Sequence, residues 1–151
     1  MTDRVHLYDL IKESFLLLDF GDRLFLEQFD LTVPRYYALA HIANNPGLSP
    51  SLLSRYMFCD KSNITRLIHG LIAEGLVERR PHERDGRAQR LFMSEAGEAL
   101  YNRAALAHRG YVEMRLMALE GCTADQVTDV LAFLNKSLSD SLDNTPTLLL
   151  N

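Results

Sequence analysis

The hydrophobic pattern of this chain changes its period at Gly75, and that change limits the folds available to it. Before Gly75, apolar residues recur at the three- and four-residue spacing of amphipathic helices. After it, Leu76–Arg80 and Gln89–Met93 have the composition of two strands, joined by a sharp turn at Asp85-Gly86. A two-stranded hairpin is only marginally stable alone in water, so it must pack against the helices.

Six helices are predicted around this hairpin, four before it and two after it. Residues suited to N-capping mark the start of five of them: Thr32, Ser49, Asp60, Ser94 and Thr123. Gln126 would complete a capping box with Thr123. A short helix, a break, a capped helix and a hairpin follow one another in the order of a winged helix-turn-helix. The predicted fold class is therefore mainly α, with six helices and a two-stranded wing.

The helix that follows Asp60 is expected to contact DNA. Its apolar residues form one inward stripe: Ile64, Leu67, Ile68, Leu71 and Ile72. The opposite stripe can form hydrogen bonds throughout and consists of Ser62, Thr65, Arg66 and His69. Arg66 suits a guanine edge, Asn63 an adenine and Thr65 a thymine methyl. Lys61, Ser62 and the helix N-terminus suit a phosphate. The alternative is a solvated face, but such faces usually mix Glu with Lys, and no acid lies between Asp60 and Glu74.

The net charge of −4 counts against binding to nucleic acid, but the charge is unevenly distributed. Residues 53–90 contain eight Lys or Arg and five Asp or Glu, so this segment is +3 and the rest of the chain is −7. Arg84 and Arg87 flank the turn of the hairpin and are best placed to enter a minor groove. Asp85 would pair with an arginine and fix its direction. A merely charged, soluble turn is the alternative.

Five segments, in this order, resemble the MarR family of bacterial regulators: Leu31–Tyr36, Asp60–Leu67, Glu74–Arg79, Asp85–Arg87 and Met93–Gly97. Met93 and Ser94 are conservative departures from the Leu-Thr that the family has at the last of these. The resemblance implies a symmetric homodimer built from the first and the last two helices. It also implies binding to a near-palindromic operator, with recognition helices in successive major grooves. By the same resemblance, Asp85 orients Arg87 in the minor groove.

The resemblance further implies a transcriptional regulator, most often a repressor that a small phenolic or aromatic acid, or cysteine oxidation, releases from DNA. The ligand pocket of the family lies between the dimer helices and the DNA-binding lobe. Its candidates here are Phe15, Arg23, Tyr36, Tyr37 and His41. A cation beside aromatic rings suits a carboxylate. The alternative is that Tyr36 and Tyr37 belong to the core and Arg23 to the surface.

One compact chain with four segments is expected. Residues 1–30 form a dimerisation helix, 31–93 the DNA-binding lobe, 94–142 the C-terminal dimerisation helices and 143–151 a tail. The first helix has an apolar seam that includes one acid, Asp22, and otherwise consists of Tyr8, Ile11, Phe15, Leu18, Phe25 and Phe29. Leu16, Leu17 and Leu24 add apolar surface beside it. Such a helix needs more cover than one small core supplies, and a dimer partner provides it.

The two cysteines, Cys59 and Cys122, form neither a disulfide framework nor a CxxC metal spacing, which fits a reducing compartment. Oxidation of Cys59, just before the recognition helix, is an alternative route to regulation, although a buried structural role is favoured. Cys122 lies in a turn with no evident partner. The five histidines are scattered, so we expect no metal and no cofactor.

Two other function classes, a protein-binding winged helix and an enzyme, fit the sequence less well than a DNA-binding regulator. A winged helix that binds protein usually lacks wing arginines or has acids on its recognition stripe, and neither is true here. An enzyme would need a Ser/His/Asp order, a phosphate-binding glycine loop or paired carboxylates in a cleft, and we find none of these in the sequence. Without a signal peptide or a long apolar run, the protein is expected to be soluble and cytoplasmic.

Overall fold

The computed structural model describes residues 3–83, 85, 88–117 and 123–143. Over these residues the chain forms six α-helices and one antiparallel hairpin, which confirms the predicted winged helix-turn-helix. The helices are α1 (Arg4–Leu26), α2 (Val33–Asn44), α3 (Pro50–Tyr56), α4 (Lys61–Ala73), α5 (Glu95–Leu116) and α6 (Ala124–Asp143). The wing consists of β1 (Val77–Pro81) and β2 (Gln89–Met93), paired so that Arg79 lies opposite Leu91.

Local capping chemistry determines where most of these helices begin. The Ser49 hydroxyl accepts the Leu52 N–H at 3.2 Å, and the Ser94 hydroxyl accepts the Gly97 N–H at 3.0 Å. Thr123 and Gln126 form the predicted capping box, with reciprocal bonds of 3.1 and 3.2 Å. Thr32 holds the N-cap position of α2, but its side chain makes no capping bond to the described residues.

The first helix ends earlier than its apolar seam suggests. Helix α1 stops at Leu26, and Phe29 lies in a short 3-10 turn, Glu27–Phe29, that follows it. Asp30 then adopts a left-handed conformation with φ of 54°, and its N–H bonds to the Glu27 carbonyl. Phe29 still packs against the core, because its ring lies 5.9 Å from that of Phe25. The apolar seam predicted from helical spacing therefore extends to Phe29, three residues beyond the end of α1.

The core of residues 1–110 lies between the helices and the second strand of the wing. Its largest fully buried side chains are Leu26, Leu39, Ile42, Leu53, Ile64, Ile68, Leu71 and Leu91. Leu91, at the middle of β2, also exchanges main-chain hydrogen bonds with the turn after α2: it donates to the Leu48 carbonyl and accepts the Gly47 N–H, both at 2.9 Å. The hairpin therefore packs on the helices, as its marginal stability requires.

The chain divides into two compact units, residues 1–110 and 111–151, with the division inside α5. This does not test the predicted segments 1–30, 31–93, 94–142 and 143–151, which stay predictions. In the second unit, α6 exposes a row of large apolar side chains: Val130, Leu131, Phe133, Leu138 and Leu142. In the first, α1 exposes a longer one: Val5, Leu7, Tyr8, Leu10, Phe15, Leu16, Leu17, Leu18, Phe20 and Leu24.

Candidate nucleic-acid interface

Helix α4 presents its polar stripe outward and its apolar stripe to the core, as its sequence predicts. Ile64, Ile68 and Leu71 are buried, and Leu67 and Ile72 pack against the same core. The four residues of the opposite stripe are exposed, and they are Ser62, Thr65, Arg66 and His69. Lys61 and Asn63 are exposed as well. The first two turns of α4 thus form a continuous polar surface.

Asp60 organises the start of this surface. Its Oδ1 accepts the backbone N–H of Asn63 at 2.9 Å and the Ser62 hydroxyl at 2.8 Å. Its Oδ2 accepts the Asn63 amide at 2.5 Å. These bonds favour the ionised carboxylate, and the backbone N–H of Asn63, followed by the Ser62 hydroxyl, lowers the pKa of Asp60 below its ordinary value. The Asp60 carboxylate, at the start of the polar surface, is therefore occupied by hydrogen bonds to Ser62 and Asn63.

A chain of hydrogen bonds continues from Asp60 to the residue predicted to contact guanine. The side-chain amide oxygen of Asn63, Oδ1, accepts a guanidinium N–H of Arg66 at 2.6 Å. An amide has two N–H donors and two acceptor lone pairs, so Asn63 keeps one of each for a base, and Arg66 keeps four of its five donors. Thr65 donates its hydroxyl to the Lys61 carbonyl at 2.7 Å, which orients the side chain predicted to contact thymine.

Two contacts that sequence reasoning missed hold α4 in place. Arg35 of α2 forms an ion pair with Glu74, at the end of α4. Ser94, before α5, donates its hydroxyl to the Gly75 carbonyl at 2.5 Å, and its backbone N–H bonds to the Leu76 carbonyl at 3.1 Å. Arg35 and Glu74 lie 39 residues apart, so no local spacing indicates their pairing. The Met93–Gly97 motif was the available signal for the contact at Ser94.

The described part of the wing carries exposed cations beside fixed ones. Arg79 and Arg80 are both exposed, but Arg80 also pairs with Glu78 at 2.8 Å, and its guanidinium lies 4.5 Å from the Phe92 ring centre. Arg90 donates to the Gly47 carbonyl at 3.0 Å. Asp85 is exposed, and its carbonyl accepts the Ala88 N–H at 2.9 Å. Arg84 and Arg87 lie outside the described residues, so their predicted entry into the minor groove stays a prediction.

The residues predicted to form a ligand pocket lie at different depths. Tyr36 is buried, with its ring centre 4.9 Å from His108 and 5.3 Å from Tyr37. Burial raises the pKa of Tyr36. His41 stacks 5.4 Å from Tyr56.

The other two candidates, Phe15 and Arg23, are exposed on α1, and the Arg23 guanidinium lies 5.1 Å from the Phe20 ring centre. An open cleft of about 710 Å³ lies elsewhere, between the wing and the turn after α2, and its described lining includes Gly47, Arg80, Arg90 and Phe92. None of the five candidates is among its described lining residues.

A buried hydrogen-bonded pair that sequence reasoning missed lies beside these tyrosines. Nε2 of His108, on α5, is 2.9 Å from Oδ1 of Asp22, on α1, and the two side chains are only 10% and 13% exposed. The Tyr37 hydroxyl donates to the other oxygen of Asp22 at 3.3 Å. Burial, with the Asp22 carboxylate nearby, raises the pKa of Tyr37 to about 12. An acid on an apolar seam was the available signal, because a buried charge needs a partner.

The remaining site predictions concern cysteines and metals. Cys59 is half-buried and packs against the core, while Cys122 lies outside the described residues. Within the described ranges, no three His, Cys, Asp or Glu side chains cluster closely enough to hold a metal ion. In the same part of the chain, we find no helix with the length and apolar character to cross a membrane.

Comparison with known proteins points to one family. Residues 29–88, which include α2–α4 and the wing up to Ala88, match the model of the MarR family. The uncharacterized HTH-type transcriptional regulator YybA of Bacillus subtilis (strain 168) is 26% identical over 131 residues, which cover 85% of each chain. The HTH-type transcriptional repressor IacR of Pseudomonas putida is 29% identical over 123 residues, covering 82% of this chain and 70% of IacR.

A solved structure has the same fold. A mutant of MarR from E. coli, complexed with operator DNA, superposes with a TM-score of 0.77 and 24% identity, covering 89% of this chain and 94% of that one. The winged helix-turn-helix described above is thus the fold of a known DNA-binding regulator. With the family match over residues 29–88 and the related HTH-type regulators, this makes the chain similar to the MarR family of transcriptional regulators.

Proposed function

We propose that this protein is a homodimeric transcriptional repressor that binds a near-palindromic DNA operator in a sequence-specific way. The observation that carries the proposal is the outward stripe of α4, where Arg66 is tied through Asn63 to Asp60. Such a chain holds a guanidinium in one direction before DNA arrives, so less entropy is lost when it binds a base edge. Two comparisons support the proposal: the relative IacR is named a repressor, and a MarR mutant has been crystallised with operator DNA.

The homodimer in this proposal is supported by apolar surface that the chain leaves uncovered. Phe15, Leu16 and Leu17 of α1 are each about 60% exposed, and α6 exposes Phe133 at 78%. Exposed large apolar side chains in such number are typical of an interface. A two-fold dimer presents two recognition helices, which is why the operator is expected to be nearly palindromic.

Release by a small aromatic or phenolic acid is the finer part of the proposal. Tyr36, Tyr37 and the Asp22–His108 pair join α1, α2 and α5 next to the helix-turn-helix. A ligand that displaced the Tyr37 hydroxyl from Asp22 would disturb this junction. Oxidation of Cys59 is the alternative trigger, and its place three residues after the end of α3 and two before the start of α4 supports it.

The test starts by selecting duplexes from a random-sequence library with the purified wild-type protein. Fluorescence anisotropy then compares the best duplex with a scrambled one. Arg66→Ala should lose preference at one base pair in each half-site, by about 1–3 kcal/mol, while keeping its affinity for other sequences. Arg87→Ala should weaken every duplex and reduce the slope of log K against log salt by about one for each arginine that neutralises a phosphate.

Lys12→Ala is the matched control, because it removes an exposed cation from α1 and not from the DNA-binding lobe. It should bind like the wild type. If no duplex is enriched and none binds at low salt, the protein is not a DNA-binding regulator, and a protein-binding winged helix takes its place. If Arg66→Ala weakens all sequences equally, Arg66 contacts phosphate and not a base.

A further inference from the structure

Three helix ends in residues 1–110 close with the same hydrogen-bond pattern. In each, one residue adopts a left-handed conformation, its N–H bonds to the carbonyl three residues back, and the next N–H bonds to the carbonyl five residues back. The left-handed residues are Asp30 with φ of 54°, Phe58 with 48° and Gly75 with 71°. Glycine and aspartate adopt this conformation readily, whereas a bulky aromatic residue does so only under strain.

The surrounding turn forces Phe58 into this conformation. Its N–H bonds to the Arg55 carbonyl at 3.2 Å, and the Cys59 N–H bonds to the Ser54 carbonyl at 3.1 Å. The Ser54 hydroxyl donates in return to the Cys59 carbonyl at 2.5 Å, and Cys59 packs against the core. The backbone on both sides is therefore fixed, and a glycine or an asparagine would make the same turn with less strain.

The Phe58 side chain gains almost nothing from the fold in return. It is 87% exposed, the largest exposed fraction of any large hydrophobic residue in the described part of the chain. The others that are more than 60% exposed lie on α1, α5 or α6 or directly after α5. The proposed dimer uses those helices, but Phe58 lies in the turn between α3 and α4. It therefore needs a different partner.

The neighbours of Phe58 indicate which partner fits. Exposed cations lie three residues away on each side, Arg55 at the end of α3 and Lys61 at the start of α4. The intervening acid, Asp60, is occupied by Ser62 and Asn63. An apolar ring between two cations suits DNA, in which charged phosphates alternate with the apolar surfaces of deoxyribose and thymine methyl groups.

We propose that Phe58 is a DNA-contacting residue, which packs its ring against a thymine methyl or a deoxyribose at the edge of the groove that α4 enters. The proposal rests on the DNA-binding function proposed above. Strain that a folded protein retains at an exposed site is typical of functional residues, because the fold alone gives no reason to keep it. In DNA-bound protein, the contact would offset that strain.

Three variants separate DNA contact from a structural role. Phe58→Gly and Phe58→Asn both tolerate the left-handed backbone, so both should fold, and Phe58→Gly should melt about 2–4 °C higher than the wild type. Both should nonetheless bind the selected duplex roughly tenfold more weakly. The slope of log K against log salt should not change, since no charge is lost. Phe58→Tyr keeps the ring and should bind like the wild type.

A duplex with uracil in place of thymine identifies the apolar surface. If uracil weakens binding of the wild type more than binding of Phe58→Asn, the ring contacts a thymine methyl. If uracil has the same effect on both proteins, the ring contacts deoxyribose. Both results fit the proposal. Equal affinity of wild type and Phe58→Asn overturns it while leaving the DNA-binding function intact. Failure of the wild type to bind any selected duplex overturns both. A changed sedimentation coefficient in Phe58→Asn without DNA would make Phe58 a contact between protein copies and also overturns the proposal.

Discussion

At the scale of single residues, what could be predicted was local. Ser49, Asp60, Ser94 and Thr123 cap their helices because the partner of each lies three residues ahead, within reach of spacing arguments. The Asp22–His108 pair joins side chains 86 residues apart, and only the folded chain brings them together. Distance along the chain therefore separates the predictable contacts from the rest.

Two glycines of α5 offer a matched test of close packing. A β-carbon at Gly97 would lie 2.0 Å from the Leu76 carbonyl oxygen, whereas one at Gly110 would meet nothing within 4 Å. Gly97→Ala should therefore lower the free energy of unfolding by about 3 kcal/mol, because backbone must move. Gly110→Ala should raise it by about 0.5–1 kcal/mol through better helix propensity.

Urea unfolding followed by circular dichroism, at one protein concentration, compares the two variants with the wild type. If Gly97→Ala is as stable as Gly110→Ala, the contact between the start of α5 and Leu76 is looser than the structure indicates.

At the scale of elements, α4 is held at both ends by different means. Asp60 caps its start, and Arg35 of α2 pairs with Glu74 at its end. The first contact follows from a local signature, so the start of α4 and its outward stripe could be predicted. The second depends on how α2 crosses the end of α4, which no periodicity encodes. The composition of the outward stripe of α4 could thus be predicted, but the contacts that fix the helix could not.

The cap of α4 makes a pH-dependent prediction. Hydrogen bonds lower the pKa of Asp60 in the folded protein below its ordinary value of 3.8. A lowered pKa stabilises the fold above pH 4, and this stabilisation is lost as the pH falls through the folded value. Asp60→Asn retains an oxygen that can cap but has no charge. The wild type should therefore melt at a higher temperature than Asp60→Asn at pH 7, and the difference should shrink below pH 4.

Thermal melts of both proteins between pH 7 and pH 2.5 measure this difference. Asp3→Asn serves as a comparison. Asp3 caps α1 by accepting the Val5 N–H, whereas Asp60 also accepts bonds from the side chains of Ser62 and Asn63. A difference between wild type and Asp60→Asn that stays constant with pH would show that the Asp60 charge adds nothing to the cap.

At the scale of the whole molecule, composition predicted an uncovered surface but not its extent. The many apolar residues of the first helix predict a partner, and α1 does expose apolar side chains along most of its length. The seam alone would have placed Phe25 and Phe29 on that surface, whereas both pack against the core. Burial is decided by the elements that fold back on α1, and the α1 sequence does not contain that information.

A charge on this surface should separate the proposed dimer. Leu16 is 61% exposed on α1, and Leu16→Glu would place two carboxylates in the interface. We expect the dimer dissociation constant to rise about 100-fold or more, with weaker binding to a two-half-site duplex. Sedimentation velocity over a range of concentrations measures the first effect. Lys12→Ala should stay dimeric, and an unchanged Leu16→Glu would place the interface elsewhere.

The main-chain bonds between Leu91 and the Gly47-Leu48 turn have a mechanical consequence. With the Arg90 bond to the Gly47 carbonyl, they join the wing to the segment where α2 ends and α3 is about to begin. The wing cannot then swing as a separate flap. A displacement at the end of α2 must carry the hairpin with it and reach α3 at the same time. A movement of the end of α2 is therefore transmitted to the wing and to α3 together.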